Sequence, residues 1–299
     1  MAQAPPGGPP PLRGAGARGS APAASKPLML PPPGRARGAM GGVGTGGEGA
    51  ALEATGVRKL FGGLVVLDGV DMRLEAGRVH QLIGPNGSGK TTLINVISGA
   101  LRADGGSVRL AGEEITGLPM LEVNRRGLVR TFQTPQSFAM LTARENVLVA
   151  TGKNRGESYR RAPLRRLWRG DEEGAMRRAG EALSASGLAE KASERSDSLS
   201  GGQRKLLELA KARVGGARVI LMDEPIAGVN PTLAHRIFGD IRDMAARDGT
   251  TFLVIEHRLD ISLAYADRVF AMDSGRIVAE GTAEEVMANR RVEEAYLGR

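Results

Sequence analysis

The stretch Gly84-Pro85-Asn86-Gly87-Ser88-Gly89-Lys90-Thr91-Thr92 separates two glycines by four residues and follows the second with a lysine and two hydroxyls. This is the Walker A spacing, and phosphate chemistry explains it. Small loop residues let backbone N–H groups converge on phosphate oxygens. A helix starting near Lys90 adds the positive end of its dipole. The Lys90 ammonium suits β- and γ-phosphates, and the Thr91 hydroxyl suits magnesium.

Such chemistry needs a second, acidic centre. Asp223-Glu224 closes the apolar run Val219-Ile220-Leu221-Met222, where a Walker B site belongs. Carboxylates at the end of a parallel strand emerge at the ligand edge of the sheet. Asp223 is suited to holding magnesium through water, and Glu224 to polarising an attacking water as general base. His257 follows a second apolar run, Phe252-Leu253-Val254-Ile255, at an equivalent edge. A histidine there is often structural; beside Glu224 it could hydrogen-bond the γ-phosphate or the attacking water.

A third motif is the stretch Leu199–Ala212, LSGGQRKLLELAKA. It has helical spacing yet opens on Gly201-Gly202, each costing about 1 kcal/mol relative to alanine inside a helix. Two glycines would free the first N–H groups to approach a phosphate, with Ser200 as cap and donor. The loop lacks a lysine, so it suits a second contact to a nucleotide already held elsewhere.

The elements that must position these groups are legible. The entering strand is Val79 to Ile83, and Leu93, Ile94 and Ile97 give the helix after the loop a buried side, with Gly99 placed to end it. The two apolar runs lack alternation, as strands buried on both faces do. Between them Leu233, Ile237, Ile241 and Met244 share one helical face, completing a βαβ unit. Val70, Met72 and Leu74 alternate with Asp71, Arg73 and Glu75, and Val108–Gly117 reads as another strand and turn. These pieces imply an N-terminal antiparallel β subdomain beside an α/β core whose sheet is mostly parallel and flanked by helices.

The segment from about residue 137 to 200 is rich in Arg, Ala and Leu and reads as a helical subdomain. Met176, Ala179 and Leu183 lie at helical spacing within it, and Gly187 is placed to end that helix. Near the C-terminus a hairpin is expected at Asp273-Ser274-Gly275. Thr282 and Glu285 then have capping-box spacing for a final helix.

Composition narrows the possibilities. The chain has no cysteine, which removes disulfides, thiolate metal sites and cysteine nucleophiles. No window approaches the roughly 18 apolar residues of a membrane span. The net charge of +8 invites nucleic acid as a partner, but half of that excess sits in residues 1–50. That Pro/Gly/Ala-rich tail is expected to be disordered; an upstream start codon would explain it equally well. The folded part, 51–299, is only mildly basic, so no nucleic-acid partner is expected.

Taken in this order, Gly84–Thr92, Leu199–Gln203, Asp223-Glu224 and His257 resemble an ATP-binding subunit of the ABC type, over about Leu52 to Arg299. The resemblance implies that Gln133 in RTFQTPQ joins the core to the helical subdomain, contacting magnesium and transmitting motion. It implies that Phe61 stacks on adenine, and that Ser200, Gly201, Gly202 and Gln203 form a signature loop. The cofactors implied are ATP and Mg2+.

The AGVNP segment, with Asn230 where many such ATPases carry aspartate, looks like the subunits of branched-chain amino acid importers. RTFQ, LTARENVLVA and the terminal VEEAYLGR are similar to the same group, although urea importers and lipopolysaccharide-export ATPases share some of these features. The resemblance further implies a head-to-tail dimer with an identical or paralogous ATPase. Two transmembrane permease subunits and, indirectly, an extracytoplasmic solute-binding protein would complete the assembly, placing the chain on the cytoplasmic face of the membrane. A DNA-associated ABC ATPase is the contrasting class. The segment between Gln133 and Leu199 is too short for its long coiled coil. Arg160, Arg161, Arg165, Arg166 and Arg169 are read as a solvated face rather than a lipid or partner contact. The tail and Gly215-Gly216 depart from the family pattern.

Overall fold

The computed structural model describes residues 50–131, 137–152 and 168–297, all within one unit spanning Gly46–Arg299. The tail before residue 50, Gln133, and Arg160, Arg161, Arg165 and Arg166 lie outside the described residues.

The chain opens with β1 (Ala50–Phe61), β2 (Leu64–Glu75), β3 (Val79–Ile83) and helix α1 (Lys90–Ile97). There follow β4 (Gly105–Leu110), β5 (Glu113–Glu114), α2 (Met120–Arg125) and β6 (Leu128–Thr131). The next helices are α3 (Ala143–Val149), α4 (Arg169–Ala185) and α5 (Gly201–Val214). Then come β7 (Val219–Asp223), α6 (Pro231–Asp248), β8 (Thr251–Ile255) and α7 (Leu259–Ser262). The chain closes with β9 (Arg268–Asp273), β10 (Arg276–Gly281), α8 (Ala283–Met287) and α9 (Arg290–Leu297).

Two sheets result. One is antiparallel in the order β2-β1-β4-β5; the other runs β10-β9-β3-β8-β7-β6. In the second, β9, β3, β8, β7 and β6 are parallel and β10 pairs antiparallel with β9. β3, β7 and β8 are buried at every residue, which explains why their sequences lack alternation. β2 instead buries Val70, Met72 and Leu74 and exposes Asp71 and Arg73, as a strand with one wet face must.

Leu82, Leu221, Leu253 and Ile255 face a core shared with α1 and the antiparallel sheet. Val79, Ile220, Met222, Phe252 and Val254 face the opposite way, into a core built with α3, α4, α5 and α6. The main sheet is therefore the middle of three layers, and residues at its strand ends are held from both sides.

Local chemistry sets the helix ends. Asn230 caps α6 by accepting the Leu233 N–H at 2.9 Å, with Pro231 in the first turn. Aspartate would fill that cap equally well, so the asparagine changes little here. α6 ends at Gly249, whose φ of 70° suits a residue without Cβ. Thr282 and Glu285 close the expected capping box on α8, and β9 and β10 form the expected hairpin.

The helical stripe expected at Met176, Ala179 and Leu183 is buried only in part. In α4, Ala179 and Leu183 are buried but Met176 is 42% exposed, because that helix buries only its C-terminal half.

Candidate functional site

β3 delivers the chain into the loop 84–89, and its glycines are required by space as much as by conformation. A Cβ on Gly84 would stand 2.1 Å from the Met272 carbonyl oxygen, and one on Gly89 would stand 2.9 Å from that of Val66. The turn after β9 braces the loop, since Gly275 N–H donates to the Ser88 carbonyl at 3.0 Å. α1 begins at Lys90, so its free N–H groups point into the loop.

Lys90 is 6% exposed, and its ammonium donates to the carbonyls of Gly84 and Pro85, each at 2.8 Å. Burial lowers its pKa, while Asp223 and Glu224 pull it back up. Buried Ser88 Oγ has no hydrogen-bond partner among the described residues. A buried ammonium and a spare hydroxyl around converging N–H groups form a cradle for anionic oxygens.

Asp223 and Glu224 stand opposite, at the end of β7. Asn86, Gly87, Gly89, Lys90, Thr91, Thr92, Asp223, Glu224 and His257 line one cleft of about 300 Å³. Asp223 is 7% exposed; burial raises its pKa, and the Arg130 guanidinium on β6 opposes that rise. Arg130 also donates to the Asn95 side-chain oxygen on α1, tying the loop helix to the acidic strand. Glu224 has a φ of 53°, rare for a residue with a side chain. Its N–H donates to the Ile255 carbonyl at 2.9 Å, and His257 Nε2 lies 3.4 Å from Glu224 Oε1. Glutamate and histidine therefore converge from adjacent strands on the space before the lysine. The donors there are suited to a nucleotide's phosphates and a water molecule.

The other sequence-predicted residues lie elsewhere. Phe61 is exposed at the β1–β2 tip, with Lys59 Nζ 5.4 Å from its ring centre. Ser200 caps α5, accepting the Gln203 N–H at 3.2 Å, while Gln203 Oε1 accepts the Ser200 N–H at 2.8 Å. The Gln203 side chain is thus occupied in its own cap.

The two glycines after Ser200 differ in purpose. A Cβ on Gly201 would meet nothing within 4 Å, whereas one on Gly202 would lie 2.0 Å from Leu233 Cδ2. Gly201 leaves the helix end open to a ligand, and Gly202 makes room for α6. Both line a separate cavity of about 440 Å³ with Ser137, Lys205 and Gly228, not the Lys90 cleft. Another cavity, about 660 Å³, lies at the opposite strand ends around Arg213, Asp248 and Thr251 and holds none of these groups.

Three residues in this region escaped the sequence reading: Arg130, Lys205 and Glu256. Glu256 is 3% exposed and accepts N–H groups from Ile226 at 2.8 Å and His257 at 3.1 Å. An acidic residue between a buried strand and His257 was the available signal. Among the described residues no helix is long and apolar enough to cross a membrane.

Comparison with known proteins agrees with this geometry. A family model described as ABC transporter matches residues 67–227. A second, described as branched-chain amino acid ATP-binding cassette transporter, matches residues 276–299. The probable branched-chain amino acid transport ATP-binding protein LivG of Archaeoglobus fulgidus is 42% identical over 250 residues, 83% of this chain and 95% of its own.

Among solved structures, the ADP conformation of MJ1267, an ATP-binding cassette of an ABC transporter, matches with a TM-score of 0.72 and 42% identity. That match covers 84% of this chain and 99% of the other. The dimeric structure of MJ0796, a bacterial ABC transporter cassette, gives a TM-score of 0.63 at 25% identity, covering 77% and 98%. Matched in its core by a family model and along most of its length by relatives, this chain belongs to the ABC transporter family, as an ATP-hydrolysing cassette.

Proposed function

We propose that the chain is the ATPase subunit of an importer for branched-chain or related amino acids. The observation that carries the substrate class is the match at residues 276–299, outside the phosphate cleft, to cassettes of branched-chain amino acid transporters. Two transmembrane permease subunits would hold it on the cytoplasmic face of the membrane, with an extracytoplasmic solute-binding protein acting through them.

The lining of the cleft supports the roles on the phosphate side, and the family resemblance those of Phe61 and Gln133. Lys90 and the N–H groups of loop 84–89 bind the β- and γ-phosphates, helped by Ser88 and Thr92, and Phe61 offers its exposed ring to the adenine. The hard oxygens of Thr91 and Asp223 line the cleft that Lys90 enters and fit magnesium, which when bound would offset phosphate charge. Gln133 would contact the same metal and carry motion toward the helical segment. Glu224 accepts a proton from the attacking water, and His257 positions that water or the γ-phosphate.

Ser200 and Gly201 lie outside the subunit's own cleft, which supports a head-to-tail dimer in which each signature loop completes the partner's site. Closure on ATP and reopening after hydrolysis would then drive the permeases.

Uptake of labelled leucine, isoleucine and valine by cells lacking this chain tests the reading. Uptake should fall and return with the wild type but not with Glu224→Gln. Unchanged uptake of all three, with loss of urea uptake instead, would contradict the substrate assignment.

A further inference from the structure

The Glu224–Ala227 segment is gripped from two sides. On one, Glu256 at the end of β8 accepts the Ile226 N–H at 2.8 Å. On the other, Lys205 reaches across from the second turn of α5. Its ammonium donates to the Ala227 carbonyl at 2.8 Å and approaches the Glu224 carbonyl at 3.4 Å. Within the segment, the Ala227 N–H donates to the Glu224 carbonyl at 3.2 Å.

This grip surrounds the residue whose φ is 53°. A side-chain-bearing residue in that region is strained and persists only where its surroundings over-determine it. Burial lowers the Lys205 pKa, and the carboxylates of Glu256 and Glu224 oppose that fall. The ammonium therefore also offsets two nearby negative charges.

Lys205 belongs to the helix that Ser200 caps and Gly201 begins. We propose that Lys205 is a positioning residue that makes the aim of the Glu224 carboxylate depend on the placement of the signature helix. Engagement of Ser200-Gly201 with a nucleotide on the partner would thereby reach the subunit's own base through one rigid helix turn and two carbonyls. The inference rests on the assignment of Glu224 as general base.

The test compares Lys205→Met, Lys205→Arg and Glu224→Gln in the purified full chain, with steady-state ATPase, nucleotide binding and thermal melting measured on each. Lys205→Met should lower kcat on the order of 10- to 100-fold, the scale of a misaimed catalytic group. Its KM for ATP, nucleotide affinity and Tm should stay near wild type, and its ATP cooperativity should fall toward a Hill coefficient of one. Lys205→Arg, which keeps the charge and the reach, should recover most of kcat.

Unchanged kcat in Lys205→Met overturns the proposal. So does a loss of Tm and nucleotide affinity in step with kcat, or a failure of arginine to rescue, either of which makes Lys205 an ordinary packing contact. If Glu224→Gln itself keeps turnover, the base assignment has failed, and that result is read separately from the lysine variants.

Discussion

His257 Nε2 lies 3.4 Å from Glu224 Oε1, although the two residues sit at the ends of different strands. β7 and β8 are parallel neighbours in register, Asp223 opposite Ile255, so the two strands leave the sheet at the same level. Glu224 turns into the cleft through its left-handed backbone, and His257 meets it from the next strand. Removing the proposed base from this pair should separate binding from chemistry. Glu224→Gln is expected to lose about 10²- to 10⁴-fold in ATP hydrolysis. Fluorescent-nucleotide titration should give an affinity close to wild type.

The signature loop should behave in the opposite sense from the phosphate loop. Ser200→Ala and Gly201→Val should spare nucleotide binding by the monomer and remove most hydrolysis, whereas Lys90→Ala should weaken binding itself. Gly202 is a poorer probe, because any side chain there displaces Leu233. Equilibrium binding and turnover on the same preparations check this division; loss of monomer binding in the Ser200 variant would contradict it.

Gly84 should be among the least replaceable residues. Alanine there must adopt a φ of 149° and place its Cβ against the Met272 carbonyl. A backbone atom cannot move aside as a side chain can, so Gly84→Ala should cost about 3 kcal/mol or more. Urea unfolding monitored by circular dichroism measures it. Gly87→Ala, with nothing within 4 Å of its Cβ position, should cost less despite its φ of 81°.

A buried histidine and a half-buried aspartate give stability opposing pH dependences. His80 accepts the Glu75 N–H at Nε2, and burial lowers its pKa from 6.5 to about 4. As pH falls from about 6.5 to 4 the unfolded chain binds a proton that the fold refuses, so stability falls, by up to about 3 kcal/mol. Asp240 has the reverse sign: burial raises its pKa from 3.8 to about 6, and its Oδ2 has no partner among the described residues. The fold keeps a proton there that the unfolded chain has lost, so stability falls as pH rises through that window. Asp240→Asn should therefore be more stable than wild type above pH ~6 and indistinguishable below ~4. Denaturant melts at three pH values read this directly.

Much of the site was legible because phosphate chemistry constrains spacing along the chain. Loop 84–92, the two unalternating strands and Asp223-Glu224 each announce themselves over a few consecutive residues. Arg130, Lys205 and Glu256 did not, since the partners that define them, Asp223, Ala227 and Ile226, are far away along the chain and are backbone atoms or a buried carboxylate. The purpose of Gly202 was hidden for the same reason. A glycine beside Ser200 looks like ligand space until Leu233 is found filling it. Met176 shows the converse, a helical stripe in the sequence that continues past the surface it packs against.

The proposed head-to-tail dimer divides the residues for hydrolysis between two copies of the cassette. Light scattering of Glu224→Gln, with and without ATP and magnesium, tests it most directly. The molar mass should double on adding ATP and return to that of the monomer when Ser200→Arg or Lys90→Ala is added to the same chain. A Glu224→Gln protein that binds ATP yet stays monomeric at every concentration would contradict it.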